Sequence, residues 1–283
     1  MNLNNNKFKP GLYCVATPIG NMGDISFRAI ETLRKSDLIL CEDTRVSKNI
    51  LKKFEIKKKV ISNHKFNEIK NLKLVLELLK NNKIVSLVSD AGTPALSDPG
   101  RILVKECAKN GIDVFPIPGP SAVSAAISIS GFSDNFYFCG FLPEKQNQIR
   151  KLFKDLSSLE CSIAFFISPN KLSKRINDIK EFFSDREILI CREISKYHEE
   201  YIRISVNELS KINFSRKGEI TVVISEMKKE RLSFKELEES DKKKINKLIK
   251  KMSIKDIVKK ISEDRKISKK VIYKYCIEIK NEN

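Results

Sequence analysis

The sequence predicts an α/β protein: two α/β domains in tandem, residues 1–118 and 119–227, followed by a small basic helical module at 228–283. Three observations carry that expectation. Between Leu12 and Phe115, short apolar runs alternate with amphipathic stretches, the pattern of a mainly parallel sheet covered on both faces. After Gly131 strand-like runs begin again, but only two convincing helices separate five of them, so the second sheet should be more antiparallel. From Lys228 onward the composition shifts to 19 Lys+Arg against 10 Asp+Glu, half of the chain's net +18.

Taken in order, Leu12 to Thr17 reads as the first strand and Pro18-Ile-Gly-Asn-Met-Gly-Asp24 as a tight polar turn. Asp24 is the expected N-cap of a helix with Ile25, Ala29, Ile30 and Leu33 on one face. Asp37 to Cys41 is a second strand ending at Glu42-Asp-Thr-Arg45, with a helix through Ile50 and Leu51 behind it. A short strand near Val60-Ile61 leads to His64 in a polar loop, then to a helix with Phe66, Ile69, Leu72, Leu76 and Leu79 on one stripe. A fourth strand starts at Lys83, a helix covers Ile102 to Lys109, and a fifth strand covers Ile112 to Phe115. Ala122 to Ser130, dense in Ala and Ser, should be a closely packed helix stopped by Gly131. The second domain follows with strands near 136–139, 163–167, 187–191, 201–205 and 220–225, and helices near 147–157 and 169–183. In the tail, a charged stretch from Lys228 to Asp241 could be a linker. Beyond it Ile245, Leu248, Ile249 and Met252, then Ile254, Ile257, Val258 and Ile261, keep helical spacing. Ser253 with Asp256 resembles a capping box, and Ser268 can cap a third helix, so the module resembles a helix-turn-helix or a plain solvated bundle.

The stretch with most chemical content is Ser89-Asp-Ala-Gly-Thr-Pro-Ala-Leu-Ser-Asp-Pro-Gly100. It leaves the carboxyl end of the fourth strand, the edge of an open α/β sheet where ligands bind, and it is longer than a plain connection needs. Gly92 and Gly100 allow close backbone approach, Pro94 and Pro99 stiffen the loop, and Asp90, Thr93, Ser97 and Asp98 offer short polar groups.

Composition excludes several functions. The start has no apolar h-region and no apolar run approaches membrane-spanning length, so no membrane attachment and a cytoplasmic location are expected. Seven cysteines without a Cys-x-x-Cys pair, and two histidines, His64 and His198, give neither a disulfide framework nor a metal-ligand set. Cys14, Cys41, Cys161 and Cys191 read as small core residues. Neither Gly-x-Gly-x-x-Gly nor a Walker-type loop occurs, which removes the familiar dinucleotide and nucleoside triphosphate sites. The positive charge favours a polyanion, nucleic acid first, although abundant Lys, Ile and Asn also fit an AT-rich coding genome.

Ala16-Thr-Pro-Ile-Gly-Asn21, Glu42-Asp-Thr-Arg45, Ser89-Asp-Ala-Gly-Thr-Pro94, Ser97-Asp-Pro-Gly100, Pro118-Gly-Pro-Ser-Ala122, Ser130-Gly131 and Gly140-Phe-Leu-Pro143 stand in one order and spacing. Together they resemble the RNA-methylating branch of the tetrapyrrole methylase superfamily over about residues 11 to 227. The resemblance implies two α/β domains with S-adenosylmethionine bound in the cleft between them. It further implies methyl transfer to the ribose 2′-hydroxyl of a cytidine in the decoding region of 16S ribosomal RNA, free or in the small subunit, by a homodimer. Cofactor contacts would come from Pro18, Ile19, Gly20, Asp90, Ala91, Gly92, Thr93, Pro94, Ser121, Ala122 and Phe166. Glu42, Asp43 and His64 are candidates for base or hydroxyl orienter, each following a predicted strand on the ligand edge. Arg45 could hold a phosphate or the ribose. Arg192, Lys196, Lys269 and Lys270 are candidate RNA contacts, and no metal is expected. This chain departs from the family pattern at Ile167, Asn170, Lys171, His198 and Ile204, positions that bear on substrate grip more than on the cofactor. A small-molecule methyltransferase acting on a tetrapyrrole and a non-enzymatic nucleic-acid binder are the rival readings.

Overall fold

The computed structural model describes residues 8–213, 215–227, 237–249, 251–265, 267 and 269–281. The chain divides into two compact units, 1–227 and 228–283.

In the first unit, β1 (Gly11–Val15), β2 (Leu38–Cys41), β3 (Val60–Ser62), β4 (Ile84–Leu87) and β5 (Val114–Ile117) form one sheet in the order β3-β2-β4-β1-β5. Every pairing is parallel, as the strand–helix alternation requires. The helices α1 (Phe27–Lys35), α2 (Thr44–Lys53), α3 (Glu68–Lys80) and α4 (Arg101–Lys109) connect the strands. Two apolar clusters form against this sheet, one around Leu33, Ile39 and Leu51, the other around Leu40, Val75 and Leu103. Because all the strands are parallel, their carboxyl ends and the loops after them share one edge.

Local chemistry corrects several expectations here. The cap of α1 is Ser26, whose hydroxyl accepts from the Ala29 amide, and Asp24 closes a 3₁₀ turn, Met22–Asp24, capped by Asn21. Phe66 precedes α3 and is 92% exposed, and Ile69 is also exposed, so the buried face of α3 is carried by Val75 and Leu79. The fifth strand begins two residues later than expected and includes Pro116, which an edge strand tolerates because one side of its ladder is free. The N-terminus of α4 has no cap of its own; buried Glu68 reaches across from α3 and accepts from the amides of Ile102 and Leu103, both at 3.1 Å.

The second sheet has the order β6-β7-β10-β8-β9, from β6 (Phe136–Phe141), β7 (Ser162–Ile167), β8 (Glu187–Arg192), β9 (Glu200–Ser205) and β10 (Ile220–Ile224). Only β6 and β7 pair in parallel; β10 runs antiparallel to both its neighbours, and β9 to β8. One face is covered by α6 (Gln146–Ser157) and α7 (Pro169–Phe183), with Phe153, Phe165 and Phe183 at the centre of the core. The other face is covered by α5 (Ala122–Ser130), whose Val123 and Ala126 lie against Ala164, Leu189 and Val223. Small side chains let this helix sit close to the sheet. Gly131 ends it in the left-handed conformation, φ 70°, and Arg203 of β9 donates to the free carbonyls of Ile129 and Ser130. Buried Arg186 donates to the carbonyls of Ser157, Leu159, Cys161 and Ser225, tying the lower loops of this lobe together.

The second unit holds α8 (Glu239–Leu248), α9 (Ile254–Arg265) and α10 (Lys269–Asn281) around Ile245, Ile257, Ile261, Ile267, Ile272 and Cys276. Ser253 does serve α9, accepting from the Asp256 amide. Met252 stays partly exposed beyond the end of α8 rather than joining the core. The expected cap Ser268 and most of the expected linker, 228–236, lie outside the described residues. No helix among the described residues is long and apolar enough to cross a membrane.

Candidate functional site

The parallel sheet delivers three loops to one edge. The β4–α4 loop contributes Asp90, Ala91, Gly92, Thr93, Leu96 and Asp98; the β1–α1 turn contributes Ile19; and the start of α5 contributes Ser121, Ala122 and Val123. Facing them are Phe141, Phe166, Ile167, Ser168, Cys191, Ile194 and Lys196 from the ends of β6, β7 and β8. Between these walls lies a cavity of about 300 Å³, also lined by Gly218, Glu219, Ile220 and Thr221.

The β4–α4 loop is held by backbone pairing. Thr17 and Gly92 exchange two amide–carbonyl bonds at 2.9 and 3.0 Å, and the Thr17 hydroxyl donates to Ser89 O at 3.1 Å. Gly92 has φ 81°, and the same loop forces Ala95 and Ser97 to φ 63° and 68°. Glu193 and Ser195, in the loop facing it, have φ 53° and 62°. Such conformations in non-glycine residues cost about 1–3 kcal/mol each and concentrate where a ligand must be gripped. The β1–α1 turn touches that second loop: Ser195 Oγ and the Asp24 carboxylate are 2.8 Å apart, and Gly20 packs on the Lys196 side chain and the Ile194 carbonyl.

The cavity is mostly apolar, with the Phe166 ring edge-on to Phe138 at 5.0 Å between centroids and tilted against Phe141 at 5.2 Å. Its polar groups have mixed sign. Lys196 bridges Glu193 and Glu219, each at 2.9 Å. Ser121 caps α5, so the positive end of that helix opens into the cavity. Across from it, burial followed by the charge of Glu42 raises the Asp98 carboxyl to about 6, and burial raises Asp90 above its ordinary value.

The rim beside Asp90 holds the remaining candidates. Asp90 Oδ1 accepts from the Asp43 amide at 2.9 Å, joining the β4 loop to the start of α2. Asp43 caps α2 through the Arg45 amide and grips the Arg45 guanidinium at 2.6 Å. Those hydrogen bonds hold its carboxyl down at about 2, while burial and the Asp90 charge push Glu42 upward. The Phe66 amide donates to His64 Nδ1 at 3.2 Å, which leaves the ring proton of His64 on Nε2. Asn63 N–H donates to Cys41 O at 2.6 Å and Ser62 Oγ to Glu42 O at 3.1 Å, so the His64 loop lies directly against the end of β2.

Of the residues expected at the cofactor, Ile19, Asp90, Ala91, Gly92, Thr93, Ser121, Ala122 and Phe166 line the cavity. Pro18 and Pro94 are buried behind its wall, and Gly20 faces the Lys196 loop. Arg192 is taken up by Glu200 at 2.8 Å, whereas Lys196 lies in the cavity wall. Lys269 and Lys270 are exposed in the second unit. Among the departures, Ile167 lines the cavity, Ile204 packs on the second-lobe core, Lys171 pairs with Glu144, and Asn170 and His198 are exposed. Sequence reasoning missed Phe141, Glu219 and Thr221. Gly140-Phe-Leu-Pro143 could have signalled the first, since β6 shifts register on β7 between Phe138 and Phe141 and turns the ring toward the site. The other two carry no local signal. No group of three or more His, Cys, Asp or Glu among the described residues is placed to hold a metal ion.

Comparison with known proteins bears on this arrangement. Residues 11–210 match the model of the tetrapyrrole (corrin/porphyrin) methylases. A protein of Thermotoga maritima named ribosomal RNA small subunit methyltransferase I is 48% identical over 76% of this chain and 97% of its own length. A namesake from Mesomycoplasma conjunctivae is 41% identical over 81% and 96%. Among solved structures, diphthine synthase superposes with a TM-score of 0.59 at 17% identity, over 76% of this chain and 89% of that one. Uroporphyrin-III C-methyl transferase from Thermus thermophilus, complexed with S-adenyl homocysteine, superposes at 0.56 and 13% identity, over 76% and 97%. At such identities the two structures speak for the fold alone. The family model spans most of the chain and the sequence relatives align over nearly their whole length, so the chain belongs to the tetrapyrrole methylases, among relatives named ribosomal RNA small subunit methyltransferase I.

Proposed function

We propose that this protein transfers a methyl group from S-adenosylmethionine to the ribose 2′-hydroxyl of a cytidine in the decoding region of 16S ribosomal RNA, as free RNA or within the small subunit. The observation that carries the reading is the coincidence of the motif loops with the walls of one cavity, in a chain 48% identical to a protein of that name. The cavity chemistry fits the cofactor. Apolar walls suit the adenine, the start of α5 suits a carboxylate, and Asp90 and Asp98, both resisting ionisation, would be relieved by a cationic ligand. When bound, S-adenosylmethionine supplies a methyl already activated on a sulfonium.

The chain's own residues would then align the acceptor and take its proton, alignment being the larger part. Glu42, its carboxyl raised above the ordinary value by burial and then the Asp90 charge, is the proton acceptor of the rim. Asp43 is held too acidic for that role and instead fixes Arg45, which would clamp the neighbouring phosphate or the ribose. His64 offers Nε2–H and so orients an oxygen rather than accepting its proton. Residues 1–118 and 119–227 act as the two halves of the cleft, with 228–283 as a basic helical module adding RNA contacts through Lys269 and Lys270. The working form is a cytoplasmic homodimer.

The test is the destination of label. Labelled S-adenosylmethionine is incubated with the protein and, separately, small ribosomal subunits, naked 16S RNA and a uroporphyrinogen. Label at a cytidine 2′-oxygen of either RNA sample is expected; label on the tetrapyrrole, or none on RNA, overturns the proposal.

A further inference from the structure

Phe66, with Phe27 and Tyr197, is one of the exposed aromatic side chains that the cofactor cavity leaves without a role. Its ring is 92% exposed, yet the loop carrying it is tightly built. His64 N–H donates to Asn67 Oδ1 at 2.7 Å, and the side-chain amides of Asn67 and Asn71 both donate to Ser62 O, at 3.1 and 2.7 Å. The Phe66 ring meets His64 edge-on, with centroids 6.0 Å apart. The loop is hydrogen-bonded to the end of β2, where Glu42 and Asp43 begin the acceptor rim. A hydrogen-bonded loop therefore carries an apolar ring into solvent beside the groups proposed to align the reacting hydroxyl.

Its surroundings say what would cover it. Ile69 is exposed three residues further on, Lys65, Lys70 and Lys73 are exposed on the same loop and helix, Lys48 is exposed on α2, and the Arg45 side chain is 89% exposed. Lysine is depleted at the centre of interfaces between protein copies. An exposed ring set among cations is instead the combination by which proteins hold single-stranded nucleic acid, the ring taking a base face and the cations the backbone. We infer that Phe66 is a stacking platform for an unpaired base next to the methylated nucleotide, so that the acceptor strand must be locally single-stranded. This rests on the RNA-methylating function proposed above and adds to it the residue that selects an unpaired strand.

The test compares Phe66→Ala and Phe66→Trp with the parent in the full chain. Removing an exposed side chain leaves the core untouched, so both variants should fold. Affinity is measured for a short single-stranded oligoribonucleotide, for the same strand annealed to its complement, and for S-adenosylmethionine; KM for naked 16S RNA and sedimentation are measured alongside. Phe66→Ala should weaken single-strand binding and raise the RNA KM by about tenfold or more, with duplex and cofactor affinities unchanged, and Phe66→Trp should restore both. Equal single-strand affinity in Phe66→Ala and parent, or an equal loss on single strand and duplex, overturns the platform. So does a change in sedimentation of Phe66→Ala, which would mark the patch as an interface between copies. If the parent methylates RNA and Phe66→Ala matches it, only the platform falls; if the parent neither binds nor methylates RNA, the function falls with it.

Discussion

Replacing Gly92 by Ala separates backbone strain from cavity occupancy. The residue sits at φ 81°, where an L side chain costs about 1–2 kcal/mol. It cannot relax cheaply, because its amide and carbonyl are both paired with Thr17, and each broken bond would cost about 1 kcal/mol more. The added Cβ would lie 3.3 Å from Ile19 Cγ2 and 3.7 Å from Pro120 O. A displacement of a few tenths of an ångström by the Ile19 methyl relieves the first, so the backbone cost dominates stability while Ile19 is pushed into the space it lines. A loss of about 1–2 kcal/mol should lower Tm by roughly 2–8 °C for a body of this size. Gly111→Ala is the control: φ is 66°, but nothing lies within 4 Å of the added Cβ. Both variants should lose a similar amount of stability by differential scanning calorimetry, and only Gly92→Ala should bind S-adenosylmethionine more weakly by titration calorimetry. An unchanged Tm in both would refute the strain argument. Equal cofactor affinity in Gly92→Ala and parent would remove the loop from the cofactor site.

Asp43→Asn keeps the cap on α2 but loses the grip on Arg45, so it and Arg45→Ala should each slow single-turnover methyl transfer about a hundredfold with cofactor affinity intact; parent rates in both would take the pair out of the acceptor site. Asp98 keeps its proton to about 6 against an ordinary 3.8, so the folded state holds the extra proton and this group's contribution to stability falls as pH rises through that window. Asp98→Asn should abolish that part of the fall in urea midpoints, and an identical pH dependence in variant and parent would show that the carboxyl is not held protonated by the fold. Truncation after Met227, the end of the first compact unit, should weaken RNA binding and flatten its dependence on salt, by about 0.7 in the log–log slope for each phosphate that the second unit neutralises. Equal slopes would mean that the lysines of the second unit are merely solvated.

Local spacing was enough to locate the main elements, though not their caps and ends. Apolar runs such as Ile84–Leu87 and Ile163–Ile167 had to be strands, and Ala122–Ser130 before Gly131 a helix, because those choices rest on periodicity and on one glycine conformation. The motif loops were legible too, since in a parallel sheet every loop after a strand falls on the same edge. Only tertiary structure could place Gly218 to Thr221 in the cavity wall. β10 runs antiparallel to β7 and β8, so it is its amino end, not its carboxyl end, that reaches the ligand edge, with Ile220 opposite both Ile167 and Arg192. The same holds for chemistry shared across the chain. Glu68 capping α4, Lys196 reaching Glu219, and the mutual repulsion of Glu42, Asp90 and Asp98 join residues whose separation in sequence carries no period. Helix and strand patterns are written within a few residues, whereas the charge state of a carboxyl depends on what the fold brings beside it, and that was decided only when the sheets closed around the cavity.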